Sequence, residues 1–215
     1  ILEIPRLGAF NLHGSMLPDY RGRCPVNWVL VKGENQTGVT LHYMVGKPDA
    51  GDIIGQKAVN IDFNDTARTL YDKLCKAAGL LLNDLLPGIK TGQIPRRKQD
   101  LTQSSYYGGR RPEDGRIDWA QSAVEVYNLM RAVTEPYPGA YALLENGEKI
   151  IVWWAVPAEL RFGNMPGDVE IFKQDVFVKT GNDAIQLLDI EISGKRMRDL
   201  QISEYFRGGK VINLK

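Results

Sequence analysis

This chain has little of what a disulfide scaffold, a metalloprotein or a polymer-binding surface needs. Its 215 residues include only two cysteines and two histidines. Cys24 and Cys75 stand far apart with no CxxC pair and no His-rich tract, so neither a disulfide framework nor a zinc site is expected. Two free thiols fit a reducing cytoplasm, which is the compartment this reading expects. An excess of charge of one sign is also missing. Twenty-seven Lys and Arg face 26 Asp and Glu, leaving +1, with no global field to favour a nucleic acid or a membrane. No apolar run approaches the ~20 residues of a membrane span, and no signal peptide is visible. The G-x-x-x-x-G-K-[ST], G-x-G-x-x-G and G-x-S-x-G patterns are absent, so no Walker loop, dinucleotide fingerprint or serine elbow is expected.

At 43% hydrophobic and 25% charged residues the composition is that of an ordinary globular protein. Strand and helix signals alternate in the first half. Ala9 to Leu12 reads as a short strand, and Pro25 opens a helix that ends at Gly33. "TGVTLHYMV" and "DIIGQKAVNI" read as two further strands. Then "NDTARTLYDKLCKAAGLLLNDLL" sets Leu70, Leu74, Ala77, Leu81 and Leu85 on one helical face, with Asn64 or Asp65 as cap and Pro87-Gly88 as stop. Residues 94 to about 117 carry no period and form a long polar, Arg- and Gly-rich segment of the kind that is functional or disordered. Ser122 to Glu125 makes a capping box for a second helix. "KIIVWWAV", "DVFVKT" and "AIQLLDIEIS" then read as strands of a small barrel or sandwich. The expected organisation is an α/β unit over 1–108 and a helix plus β-rich unit over 109–215.

The stretch "FNLHGSMLPDYRGR" carries the first candidate chemistry. On a strand, residues i and i+2 face the same way, so Asn11 and His13 aim an amide and an imidazole at one spot. The amide suits a developing oxyanion, and the imidazole exchanges a proton near neutrality. Asp49 sits in "GKPDAGD" beyond the end of another strand, where open α/β sheets bind ligands. From there a carboxylate orients an imidazole and stabilises its charged form. No nucleophilic serine completes a triad, so the set fits transfer between two bound substrates through a tetrahedral intermediate. His42, inside a strand, reads as a packing histidine. Arg96-Arg97 reads as solvated charge, whereas Arg110-Arg111 follows "YYGG" and suits a phosphate.

"FNLHGSMLPDYRGRCPVNW" followed by "GVTLHYMVGKPDAGDII" resembles the paired blocks of the 10-formyltetrahydrofolate-dependent formyltransferases. The resemblance implies a Rossmann-like catalytic sheet followed by a small β-rich, OB-like subdomain. It makes Asn11, His13 and Asp49 the catalytic set and 10-formyltetrahydrofolate the co-substrate, with no metal. Ser15, Met16, Leu17 and Asp52 would lie on the folate side, and Arg23, Arg110 and Arg111 on the acceptor side. His-Gly-Ser, "RGRCPVNW" and "YYGGRRPEDGRIDW" are similar to the branch that formylates nucleotide-linked amino sugars, notably UDP-4-amino-4-deoxy-L-arabinose in lipid A modification. The branch that formylates methionyl-tRNA is the alternative, and a non-catalytic folate or nucleotide-sugar binder is a second. The tail offers a tRNA only Lys195, Arg196, Arg198 and Arg207. Because "ILEIPRLGAFNLHG" reaches these residues within about a dozen positions and lacks a methionine, an upstream βαβ portion is expected, a unit of roughly 30 residues.

Overall fold

A computed structural model describes residue 2 and residues 4–160, 165–208 and 213–215. The chain divides into two compact units, Ile1–Arg110 and Arg111–Lys215.

In the first unit β1 (Phe10–His13), β3 (Gln36–Tyr43) and β4 (Ile53–Asn60) form an antiparallel sheet in the order β1-β3-β4. The α/β class holds, and the sheet that carries the candidate residues is an antiparallel one. A short parallel pair joins β2 (Arg21–Gly22) to β5 (Tyr106–Tyr107), inside the segment that lacked sequence periodicity. Helix α1 (Pro25–Val31) starts at its proline, which suits a position whose N–H has no helical partner.

Helix α2 (Ala67–Thr91) buries Ala67, Leu70, Leu74, Ala77 and Leu81 and packs on β3, β4 and α1. Its close approach to β4 depends on Gly55, where an added Cβ would lie 2.8 Å from Leu85 Cδ1. Both ends of α2 differ from the sequence reading. The cap is Thr66, not Asn64 or Asp65; its hydroxyl accepts from the Thr69 N–H while the Thr69 hydroxyl accepts from the Thr66 N–H. Asp65 instead receives Lys73 Nζ at 2.5 Å and the Asp62 N–H at 2.8 Å. Pro87 lies inside the helix, which continues to Gly92; the left-handed φ of 74° there lets its N–H close on the last carbonyls.

The second unit opens with a 3₁₀ turn (Pro112–Gly115) and α3 (Ala123–Val133), whose Ser122–Glu125 capping box is formed as expected. Strands β6 (Ala140–Leu143), β7 (Lys149–Ala158), β8 (Val169–Phe172), β9 (Asp175–Lys179), β10 (Ala184–Ile192) and β11 (Lys195–Arg198) make one sheet in the order β6-β7-β10-β9-β8. β11 pairs with the far half of β10. Tyr127 and Met130 of α3 are buried, and the helix packs on β7. A last helix, α4 (Leu200–Gly208), was not read from the sequence; it buries Ile202, Ser203 and Phe206 against β9, β10 and β11. Among the described residues no helix is long and apolar enough to cross a membrane.

Candidate active site

The antiparallel register of β1 on β3 sets Asn11 directly opposite His42, and His13 opposite Thr40. Asn11 and His13 therefore share one face of β1, as their spacing requires. The β3–β4 ladder shifts register between Leu41 and His42, and an irregularity of this kind re-aims side chains next to a site. The loop from β3 to β4 brings in Asp49, which adopts a left-handed φ of 52°. That conformation is one aspartate tolerates better than most residues.

Asp49 is the hub. Its Oδ1 lies 3.4 Å from Asn11 Nδ2, 3.5 Å from His42 Nε2 and 3.7 Å from His13 Nδ1. The other oxygen, Oδ2, accepts the Gly22 N–H at 2.9 Å, and the Asp49 carbonyl accepts from Gln99 Nε2 at 2.9 Å. His13 is buried and donates Nε2–H to the Tyr20 carbonyl at 2.8 Å, since a carbonyl oxygen only accepts. The proton that His13 gains or loses is thus the one on Nδ1, the nitrogen facing Asp49. Tyr20 is itself tied down, its N–H donating to Ser105 Oγ at 2.8 Å.

His42, read from the sequence as a packing histidine, also joins this cluster. Buried to 2% exposure, it accepts from Asn11 Nδ2 at 3.2 Å and donates Nδ1–H to the Tyr43 carbonyl at 2.8 Å. Burial pushes its pKa below the ordinary histidine range, against the opposing pull of the Tyr43 carbonyl and the Asp49 carboxylate. Only the strand register could have revealed this contact, because Asn11 and His42 are 31 residues apart.

The loop residues expected on the folate side divide. The Ser15 side chain is fully buried, and its hydroxyl donates to the Asp19 carbonyl at 2.6 Å. Leu17 is also buried, with its N–H on Thr40 Oγ1. Both hold the loop from within. Met16 borders a polar cavity of ≈ 350 Å³ that Tyr20, Thr37 and Tyr107 also line. Asp52 pairs with Arg96 Nε at 3.3 Å, and that guanidinium lies over the Tyr43 ring, so Arg96 is not simply solvated charge.

Of the residues expected on the acceptor side, Arg23 is exposed, and its N–H donates to the Tyr107 carbonyl. Arg110 caps an aromatic ladder: Tyr20 stacks on Tyr107 at 5.1 Å, Tyr107 meets Trp28 at 5.0 Å, and the Arg110 guanidinium lies 4.7 Å above Trp28. Arg111 begins the second unit, exposed, with its N–H on Asp114 Oδ2. The basic residues of the tail are partly engaged: Arg196 binds Asp189 and Glu135 at 2.7 Å each, and Arg198 binds Asp189 at 2.7 Å.

Here the Asn11 amide offers N–H for an oxygen that gains negative charge, beside a carboxylate and two imidazoles that can exchange protons. Among the described residues no group of three or more His, Cys, Asp and Glu is arranged to hold a metal ion.

Known proteins resemble the chain over most of its length. The formyl transferase family matches residues 1–86, and the formyl transferase C-terminal domain matches residues 110–210. A multiply substituted variant of HypX from Aquifex aeolicus superposes with a TM-score of 0.68 at 20% identity, over 94% of this chain and 36% of that one. HypX has also been solved with tetrahydrofolic acid. An N-formyltransferase from Helicobacter canadensis, complexed with folinic acid and dTDP-3-aminofucose, gives 0.66 at 24% identity, over 83% of this chain and 65% of that one. WlaRD, a sugar 3N-formyl transferase solved in the presence of dTDP and 5-N-formyl-THF, gives 0.65 at 25% identity, over 86% and 65%. The chain thus spans about a third to two thirds of the length of these solved relatives.

Proposed function

The chain belongs to the formyl transferase family, and on that premise we propose that it moves a formyl group from 10-formyltetrahydrofolate to the amine of a nucleotide-linked amino sugar. The observation that carries this reading is the convergence of Asn11 Nδ2, His13 Nδ1 and His42 Nε2 on one oxygen of Asp49. When bound, the folate supplies an activated formyl carbonyl. The donor set fits it. Asn11 offers an uncharged N–H to the oxygen that becomes negative as the amine adds, and His13 offers the N–H on Nδ1. Nδ1 carries that hydrogen only in the imidazolium, and at 3.7 Å from Asp49 it makes no proper hydrogen bond to the carboxylate. Asp49 stabilises the imidazolium, accepts the proton that the amine loses as the new C–N bond forms, and returns it to the folate nitrogen as the bond from that nitrogen to the formyl carbon breaks. The Ser15 hydroxyl, spent on the main chain, takes no part as nucleophile.

Supporting a nucleotide-linked acceptor, Arg23 and Arg110 carry planar forks that suit a diphosphate, as does Arg111 at the start of the second unit. Solved relatives at low identity carry dTDP and a dTDP-amino sugar, while the sequence blocks resemble those of enzymes acting on UDP-4-amino-4-deoxy-L-arabinose. A tRNA acceptor is disfavoured because Arg196 and Arg198 are engaged with carboxylates of their own unit.

The test offers 10-formyltetrahydrofolate together with UDP-4-amino-4-deoxy-L-arabinose, a dTDP-amino sugar or methionyl-tRNA, side by side. Formylation of a sugar nucleotide is expected. Formylation of the tRNA alone, or of none of the three, overturns the reading.

A further inference from the structure

The contacts around Asn11 fix where its hydrogens and those of His42 sit. A carboxylate only accepts, so the Asn11 atom facing Asp49 Oδ1 at 3.4 Å is the amide nitrogen with its hydrogens outward. The same nitrogen faces His42 Nε2 at 3.2 Å, which must then offer a lone pair. The ring proton of His42 is therefore on Nδ1, where the Tyr43 carbonyl receives it at 2.8 Å. The approach of His42 Nε2 to Asp49 Oδ1, at 3.5 Å, would suit a hydrogen on that nitrogen, but it is longer than the contacts to Asn11 and Tyr43, and those two agree on one tautomer and one amide orientation. Register supports them, since Asn11 and His42 are direct partners across β1 and β3.

We infer that His42 is a positioning residue: its neutral ring accepts one Asn11 hydrogen and so aims the other at the point where the formyl oxygen gains charge. The inference rests on the formyl-transfer reading for what that hydrogen does. Of the two bonds Asn11 makes, the one to Asp49 is the longer, at 3.4 Å against 3.2 Å, and is the one to be exchanged for the substrate oxygen. Among the described residues, the charged or titratable groups facing the ring are Asp49 at 3.5 Å and His13, whose ring centroid lies 6.5 Å away; β4 opposes it with apolar Ile53. If His42 gains a proton, Nε2 becomes a donor and no longer accepts from Asn11. The amide then turns its oxygen toward the ring and presents the wrong end to the substrate. Burial, which keeps the ring neutral, works in the same direction as this geometry.

Two replacements separate positioning from packing. In His42→Gln, the side-chain carbonyl accepts from Asn11 and does not titrate; in His42→Leu nothing accepts. Leucine is expected to lower kcat on the order of 10²-fold with KM for both substrates little changed, the size of effect that follows a small misplacement of a reacting group. Glutamine is expected to retain most of kcat. A second measurement needs no turnover: ¹⁵N NMR of the unliganded protein. The His42 ring is expected as the Nδ1–H tautomer at neutral pH. On acidification the Asn11 side-chain amide signals should move with the midpoint of His42, and in His42→Gln this movement should vanish. An Nε2–H ring at neutral pH, an Asn11 amide indifferent to His42, or a leucine variant with wild-type kcat overturns the inference. A protein that transfers no formyl group yet shows the coupled titration refutes the assigned activity and upholds the positioning of Asn11 by His42.

Discussion

Gly22 donates its backbone N–H to Asp49 Oδ2 at 2.9 Å, and this bond orients the carboxylate on which the other site residues converge. Gly22 has a φ of 100°, and a Cβ there would lie 2.2 Å from the Tyr107 carbonyl oxygen. Gly22→Ala must therefore shift the β2–β5 pair and withdraw the N–H. The expected result is a loss of more than about 1 kcal/mol in urea unfolding, the least expected for alanine forced to positive φ. Formyl transfer should fall further than the stability loss accounts for, which is checked by assaying at a temperature where the variant is fully folded.

Asn11→Ala removes the uncharged donor. A fall of about 10²–10³ in kcat is expected, as for other oxyanion donors, with the folate KM little affected. Asp49→Asn keeps the volume but loses the acceptor for the amine proton, and its kcat should fall at every pH at which the wild type is active. A single-turnover assay checks both, and near-normal turnover in either variant would remove that residue from the mechanism.

His42 predicts a pH dependence of stability with a definite sign. Its folded pKa lies below the ordinary value because burial disfavours the cation. The unfolded chain therefore takes up this proton first, below about pH 6.5. The contribution to stability is complete above that pH and declines as pH falls through 6.5 toward the folded value. Urea unfolding between about pH 5 and 7.5 should show this slope in the wild type and a shallower one in His42→Gln.

Lys73 holds the buried Asp65 at 2.5 Å beneath the start of α2. Burial works to raise the Asp65 pKa, but bonds from Lys73, the Asp62 N–H and Thr69 outweigh it and hold the carboxyl below its usual range. Lys73→Met should cost about 1–3 kcal/mol at neutral pH, because a buried acceptor loses its charged partner. For Asp65 the stabilisation is present above its unfolded pKa, near 3.9, and is lost as pH falls below it. Thermal unfolding of the two proteins should accordingly draw together as pH falls below about 3.9.

Arg110→Ala should weaken nucleotide-sugar binding by about 10- to 100-fold, the worth of a charged hydrogen bond, and leave folate binding alone. Because the guanidinium lies 4.7 Å over the Trp28 ring, tryptophan fluorescence should report the nucleotide. Equal nucleotide affinity in the variant would move the acceptor site elsewhere.

What the sequence disclosed of this site was its local part. Asn11 and His13 were legible because two residues on a strand share a face whatever the fold, and Asp49 because a turn-rich loop follows a strand. His42 was read as packing, since its value lies in the pairing Asn11↔His42 and register is invisible in one chain. The burial of Ser15 was hidden for the same reason: its fate depends on a loop folding back on itself. Helix ends followed suit. Ser122–Glu125 stood without competitors and was read correctly. At α2 three capping residues compete in succession, and Pro87 gave a stop signal that the left-handed Gly92 overrode. Strands β8 and β11, at four residues each, and the helix α4 are too short for a periodicity to rise above the turns around them.

The parallel pairing of β2 with β5 also bears on when the site comes into being. Tyr20, whose carbonyl fixes His13, is itself held by its N–H on the hydroxyl of Ser105, 85 residues along the chain. Closing so long a loop is entropically costly and slow compared with forming the local β3–β4 hairpin. The sheet and α2 can therefore assemble while the imidazole still lacks its anchor. In refolding, helical signal should recover ahead of formyl transfer, and the lag between them would time the arrival of one short segment.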